Sequence, residues 1–294
     1  MNKKVAVIIV TYNRCELLKE CIESIRQQTY SNYDIIVVNN GSTDNTLEWL
    51  STQSDIITIT QSNSGGAGGF STGLKYSCEH EYSYSWVMDD DVVADNNALL
   101  ALMIRADKAE GFLCSRVLDT NGELCNVPRL SKKKSTTSSE YVWGNKLDYG
   151  MIRVDIASFV SVLLNNKIIF DIGLPYKEYF IWGDDTEYTS RISKFLASYM
   201  VIDSKVIHKR KIQSALSIFK ECDKKRCRNY FFLYRNRIHL QPNKRMKMFY
   251  VAYSLYDAIK LLFTGQVSKG IIIIKAVLSY ISFSPSIYYP IQKC

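Results

Sequence analysis

The sequence predicts an α/β fold built on an open, mostly parallel sheet flanked by helices, and three observations carry that prediction. Short apolar runs alternate with segments of helical spacing over the first hundred of the 294 residues. The runs are continuous, as expected of strands covered on both faces. Polar, glycine-rich or acidic clusters follow them, where open α/β sheets bind their ligands.

In chain order, Val5–Val10 is the first strand. After Met1-Asn2-Lys3-Lys4 it imitates a signal peptide, but its apolar run is too short and meets Thr11-Tyr12-Asn13-Arg14 in place of a small-residue cleavage site. Leu17, Leu18, Cys21, Ile22 and Ile25 then recur at helical spacing. Asp34–Val38 reads as a strand ending at Asn39-Asn40-Gly41, and Ser42 or Thr43 can cap a short helix holding Leu47 and Leu50. Ile56–Thr60 is a third strand, Phe70–Cys78 a helix, and Tyr84–Met88 a fourth strand that stops at Asp89-Asp90-Asp91, ahead of a helix over Asn96–Ala109. Pro128–Glu140 is polar, basic and aperiodic, which predicts a mobile loop whose Arg129–Glu140 part is a candidate substrate lid. Ile156–Asn165 is apolar, Phe180–Asp185 ends an apolar piece in acids, Glu187–Phe195 reads as helix, and Ser198–Ile207 as a strand leading to His208. From about Lys220 the chain is helical and basic. The expected division is a body over residues 1–215 and a helical extension over residues 216–294.

Composition narrows the function classes. With 47% hydrophobic and 22% charged residues, the chain buries a real core, which excludes intrinsic disorder and disulfide miniproteins. Eight cysteines without a CxxC pair predict a reduced, cytoplasmic protein. Residues 205–294 hold 18 Lys and Arg against Glu221, Asp223 and Asp257, whereas residues 1–204 are net acidic. Such asymmetry predicts two surfaces with different partners. No run is long and uncharged enough to span a bilayer. Met248–Phe263, broken by Asp257 and Lys260, and Ile271–Ile281, broken by Lys275, read as helices that lie on an anionic membrane surface at the inner face of the cell membrane. An ordinary packing pair, or a homo-oligomer contact, is the other use of such helices. A nucleic-acid surface over Lys224–Tyr230 and Arg235-Asn236-Arg237 is set aside, because the apolar helices after Lys247 have no use there.

Four constellations carry candidate chemistry. Asp89 and Asp91 share a face in extended structure, and crowded carboxylates there favour Mn²⁺ or Mg²⁺; capping of the next helix is the bland alternative. Asn63-Ser-Gly-Gly-Ala-Gly-Gly-Phe70 opens a helix and lets backbone approach a negatively charged ligand, or else packs that helix tightly. Its spacing is that of neither a dinucleotide fingerprint nor a P-loop. In Trp182-Gly183-Asp184-Asp185-Thr186-Glu187 an aspartate is either a general base or the N-cap of the next helix. His208, before Lys209-Arg210-Lys211, is either a structural histidine, the commoner use of a solitary one, or the nitrogen donor that an acidic metal site lacks.

These pieces, in this order, resemble family 2 glycosyltransferases of the GT-A fold. Val10-Thr11-Tyr12-Asn13-Arg14 and Val37-Val38-Asn39-Asn40-Gly41-Ser42-Thr43-Asp44 are similar to the family's nucleotide-binding half. Asn63–Phe70, Trp86–Val92 and Trp182–Tyr188 look most like bacterial galactofuranosyltransferases, with rhamnosyltransferases as cousins; the likeness covers about residues 5–240. It implies that Thr11, Tyr12, Arg14, Asn39, Asn63, Gly65, Gly66, Asp89 and Asp90 surround a nucleotide-sugar, with Asn39 at the uracil edge where the family often has Asp. It implies a metal shell of Asp89, Asp91 and His208, and a catalytic base at Asp184 with Asp185 beside it. The implied reaction is inverting transfer from a UDP-sugar, with UDP-galactofuranose as the first expectation and dTDP-rhamnose as the second, onto a growing and lipid-linked glycan of a cell-surface polysaccharide. A binding protein that kept the fold and lost turnover is the non-catalytic alternative.

Overall fold

A computed structural model of the chain describes residues 3–136, 140–210 and 216–291. Its first half follows the expected alternation: β1 (Val5–Thr11), α1 (Cys15–Arg26), β2 (Tyr33–Asn39), α2 (Thr46–Ser51), β3 (Ile56–Thr60), α3 (Gly65–Glu79) and β4 (Tyr84–Asp89). β1 pairs in parallel with β2 and β4, and β2 with β3. Val5, Val7 and Ile9 join Leu18, Cys21, Ile22 and Ile25 of α1 in one cluster, while Ala6, Ile8 and Val10 join Phe70, Leu74 and Cys78 of α3 in another. Successive strand side chains point to opposite faces, so a strand covered on both sides must be apolar throughout.

α3 begins at Gly65, earlier than the expected start at Phe70. Glycine costs a helix about 1 kcal/mol relative to alanine, so periodicity alone reads the glycine run as loop. Packing reverses that preference. A Cβ on Gly69 would stand 2.4 Å from Val10 Cγ1, and one on Gly73 2.3 Å from Ile8 Cγ2, so these glycines bring α3 down onto β1.

The second half contains β5 (Val92–Ala94), α4 (Ala98–Arg105), β6 (Leu113–Leu118), β7 (Arg129–Leu130), β8 (Met151–Ile156), β9 (Val162–Asn165), α5 (Asn166–Ile172), α6 (Asp184–Ser193) and β10 (Ser198–His208). The sheet runs β3-β2-β1-β4-β9-β6-β10-β8-β7, with β5 on β10. β6 and β10 are parallel, whereas β9 lies antiparallel between β4 and β6. The apolar stretch Ile156–Asn165 is therefore two elements. β8 ends on the far side of β10, and the chain returns to insert β9 beside β4. Within the expected loop over residues 128–140, Arg129 and Leu130 pair with β8 and Lys134 bridges Tyr141; residues 137–139 lie outside the described part.

The chain closes with α7 (Lys224–His239), α8 (Lys244–Phe263) and α9 (Val267–Ile281). Asp223 caps α7 by accepting the Lys225 N–H at 2.8 Å, and Asn243 caps α8 by accepting that of Met246 at 2.9 Å. Tyr230, Tyr234, Ile238, Ala258, Leu261, Ile273, Ala276 and Val277 form a core of their own, against which Trp182 packs. The expected boundary after residue 215 adjoins residues 211–215, which lie outside the described part. Among the described residues no helix is long and apolar enough to cross a membrane.

Candidate active site

Strand register brings the candidate residues to one edge of the sheet. Thr11 stands opposite Asn39, and Val10 opposite Asp89, so β1, β2 and β4 end together. β10 ends against β5, with His208 across from Val92, and the Lys209 N–H donates to the Asp91 carbonyl at 2.8 Å. The register thus brings His208, distant in sequence, beside the aspartates.

Asp89, Asp91 and His208 each present one ligand atom, all within 4.8 Å of one another. His208 Nε2 lies 3.1 Å from Asp91 Oδ1. That oxygen is buried and makes no hydrogen bond, so the pair is an electrostatic contact between groups that face a common point. On the other side of the ring, His208 Nδ1 is 3.0 Å from Asn126 Oδ1. With that oxygen accepting, Nδ1 carries a proton, and Nε2 is the nitrogen that faces the carboxylates and that a cation would take. Two carboxylates, one imidazole nitrogen and an orphaned buried oxygen fit Mn²⁺ or Mg²⁺.

The buried carboxylates crowd one another, a repulsion that a cation would relieve. Burial and then the Asp91 charge push Asp89 up to about 8. Asp91 is also pushed up by burial, but His208 and Arg14 outweigh that and hold it below the usual carboxylate range. Asp90 has different neighbours: its Oδ2 accepts from Thr11 Oγ1 at 2.8 Å and its Oδ1 from Arg14 at 3.1 Å. Burial raises it to about 6 against the pull of Arg14 and Thr11. Arg14 also donates to Asp91 Oδ2 at 2.9 Å. Thr11 and Arg14 therefore brace the aspartates, while Tyr12 stands exposed.

Asn39 is fully buried; its Oδ1 accepts the Ser42 N–H at 3.0 Å and its Nδ2 has no partner. Asn40 ties the end of β2 to the glycine run, donating to the Gly65 carbonyl at 2.8 Å and accepting from the Ser64 N–H at 3.1 Å. Asn63 Oδ1 accepts the Gly65 N–H at 2.9 Å. The two glycines differ. Gly65 has φ +73°, and a Cβ there would fall 1.9 Å from the Phe180 carbonyl oxygen, whereas a Cβ on Gly66 would meet nothing within 4 Å. Gly65 admits the segment before α6, and Gly66 faces open space.

That segment, residues 179–183, is strained and clamped. Phe180 and Trp182 have φ of 63° and 62°, a region costly for bulky side chains. The Phe180 carbonyl accepts from the Ala67 N–H of α3 at 3.1 Å. Asn236 of α7 directs Nδ2 at the carbonyls of Tyr179, Ile181 and Trp182 at 3.0, 3.2 and 2.9 Å. Arg235 donates to the Glu178 carbonyl at 2.6 Å. Both α7 residues are buried, so this Arg-Asn pair belongs to no outer surface.

The N-cap of α6 is Gly183, not either aspartate. Asp185 Oδ1 accepts the Thr186 N–H at 2.6 Å, and Glu187 pairs with Arg191 at 2.9 Å. Asp184 is the more buried aspartate, pushed up to about 8 by burial and then by the Asp185 charge; burial raises Asp185 too. A carboxyl that holds its proton to that pH is a strong base once it has lost it. A cleft of about 760 Å³ lies to one side of these groups, between Arg14, Asp44, Trp49 and Lys209.

Asn126, Asn236 and Asn40 were not legible as site residues. Asn126 belongs to no motif that separates it from loop asparagines, and Asn40 lies inside the Val37–Asp44 motif without a role that the motif assigns. Asn236 left a faint signal, since asparagine is disfavoured inside a helix unless its amide is engaged.

The family described as "Glycosyl transferase family 2" matches residues 6–153. Galactofuranosyltransferase GlfT1 of Mycobacterium tuberculosis is 26% identical over 205 residues, which cover 65% of this chain and 65% of that protein. Glycosyltransferase GlyG of Streptococcus pneumoniae is 34% identical over 100 residues, 33% of each chain. Among solved structures, S. aureus TarS 1-349 in complex with UDP superposes with a TM-score of 0.55 at 16% identity, covering 83% of this chain and 68% of that one. The same protein in complex with UDP-GlcNAc gives 0.55 at 15% identity, covering 83% and 69%. At such identity these two structures establish the shared fold.

Proposed function

The chain belongs to glycosyl transferase family 2, and on that premise we propose that it transfers galactofuranose from UDP-galactofuranose, with inversion, onto a growing, lipid-linked glycan. The observation that carries this reading is the cluster of Asp89, Asp91 and His208 at the edge where Thr11 and Asn39 also end. The GlfT1 relative supports the sugar, and the UDP and UDP-GlcNAc held by TarS support a uridine nucleotide.

A divalent cation held by Asp89, Asp91 and His208 would neutralise the donor diphosphate and the charge that develops on the leaving nucleotide. The chain's own groups do the rest. Asn126 keeps the His208 proton on Nδ1, which leaves Nε2 free to ligate. Asn39 offers its unpartnered Nδ2 to a carbonyl of the base, since Ser42 already occupies its oxygen. Gly66 and the N-terminus of α3 leave room for, and attract, the diphosphate. Asp184 takes the acceptor hydroxyl proton as that oxygen attacks the anomeric carbon opposite the leaving group. The configuration inverts in one displacement, and nearby carboxylates support the oxocarbenium character of the transition state.

In this reading residues 1–215 are the catalytic body and residues 216–294 hold it to the anionic inner face of the cell membrane, where the lipid-linked acceptor is. Each Lys or Arg near such a surface contributes about 1 kcal/mol. The test is nucleotide release from UDP-galactofuranose, UDP-galactopyranose, UDP-glucose and dTDP-rhamnose, with Mn²⁺, with Mg²⁺ and with chelator. Metal-dependent release from the furanose donor alone is expected. Release from another donor would overturn the sugar and keep the transfer; no release and no nucleotide binding would overturn both.

A further inference from the structure

α8 is apolar on two sides. The side that faces the protein buries Ala258 and Leu261 together with Ser254 and Asp257, and the Asp257 carboxylate accepts from Tyr234 Oη at 2.8 Å. The outer side carries Met248, Phe249, Tyr256, Ile259 and Phe263, with Phe263 88% and Met248 72% exposed. At about 100° per residue these five fall within about a third of the helix circumference. α9 extends the surface with Ile271, Leu278 and Ile281, all exposed. Isolated exposed apolar residues are ordinary, but a contiguous apolar face on neighbouring helices marks an interaction site.

The charges say what covers it. Lys244, Arg245, Lys260 and Lys275 are exposed around the apolar face. The one acid in either helix, Asp257, is buried. A second copy docked face to face would set cations against cations with no carboxylate to answer them. An anionic lipid surface supplies the missing sign, and its acyl boundary takes the apolar stripe.

We propose that the outer face of α8, continued by α9, lies in the interfacial layer of an anionic bilayer with the helix parallel to the membrane plane. This deepens the membrane part of the function above and is independent of the sugar. The contact is close to the chemistry: Trp182, two residues before Asp184, packs edge-on against Tyr230 of α7 with ring centroids 5.3 Å apart, within the core that α8 and α9 share. The membrane face and the base segment are therefore parts of one packed unit.

The test is flotation of the full chain with vesicles of phosphatidylcholine alone and of phosphatidylcholine mixed with phosphatidylglycerol, with nucleotide release from a soluble donor read in parallel. The wild-type chain is expected to float with the anionic vesicles. A Phe249→Ser/Phe263→Ser variant is expected to lose about tenfold or more of that partition with its donor turnover intact. An Arg245→Gln/Lys260→Gln variant is expected to lose the preference for phosphatidylglycerol. Unchanged partition of the Phe variant would overturn the proposal. So would failure of the wild type to float while light scattering finds a dimer that the Phe variant dissociates. Vesicle binding without turnover of any donor would uphold this surface and overturn the transferase reading instead.

Discussion

Asp184 is held in an environment that opposes its ionisation, and that gives its role a testable signature. Its carboxyl titrates near 8 because it is buried and because Asp185 is adjacent. The proposed base works only when deprotonated, so kcat/KM is expected to rise with pH through that region. Asp185→Asn removes the like charge and is expected to move the rising limb to lower pH; an unmoved limb would assign the titration to another group. Asp184→Asn is expected to cut turnover by about 10²–10⁴-fold while nucleotide binding, read by calorimetry, persists. A second prediction concerns Asn126. Replacing it with Leu removes the acceptor that fixes the His208 tautomer, and Mn²⁺ affinity is expected to fall by about 10–100-fold. Titration of the nucleotide-free protein, followed by electron paramagnetic resonance, reads this apart from activity. At this scale the aspartates and His208 were legible from residue type and position. Their partners were not, because an asparagine that orients a ring looks in sequence like any loop asparagine.

The element that decides the site is the segment between the short turn at Lys177–Tyr179 and α6. Its backbone is unfavourable at Phe180 and Trp182, so something outside it must hold it there. Asn236 does so from α7 and the Ala67 N–H from α3, with Gly65 leaving the room. Asn236→Leu takes the donor from the Ile181 and Trp182 carbonyls, while that of Tyr179 keeps the Ile181 N–H at 2.7 Å; the cost is about 1–3 kcal/mol for each one that water does not reach. The expected kinetic result is a lower kcat with the donor KM unchanged and the pH limb displaced, because the base moves and the donor site does not. A uniform loss of folded protein without that split would make Asn236 merely structural. Gly65→Ala drives a Cβ into the Phe180 carbonyl at a position with φ +73°, and a drop in Tm together with loss of turnover is expected. β1 to β4 were readable because a strand covered twice must be apolar throughout. The early start of α3 was not, since its glycines serve contacts with β1 that local propensity does not record.

For the molecule as a whole, a buried carboxyl kept protonated makes folding depend on pH. Between the ordinary carboxylate range and about pH 8 the native Asp184 holds a proton that the unfolded chain has released. The native state binds more protons there, so this group's contribution to stability is largest at low pH and falls as pH rises through that window. Asp184→Asn is expected to raise Tm at pH 8 relative to wild type and to leave it nearly unchanged at pH 4, as read by calorimetry with chelator present. An equal shift at both values would point to packing in place of ionisation. The same scale separates what the linear chain determined from what only folding decided. Composition, the strand and helix alternation, the acidic body with its basic extension and the aspartate clusters are local patterns, set by which faces must be covered and by charge along a few turns, and these were readable directly. The insertion of β9 between β4 and β6, the arrival of His208 beside Asp91, the reach of Asn236 to the base segment and the outward apolar face of α8 depend on contacts between residues far apart in sequence. Local periodicity says that a face is buried but not what buries it, so those pairings were decided only when the packed chain brought the faces together.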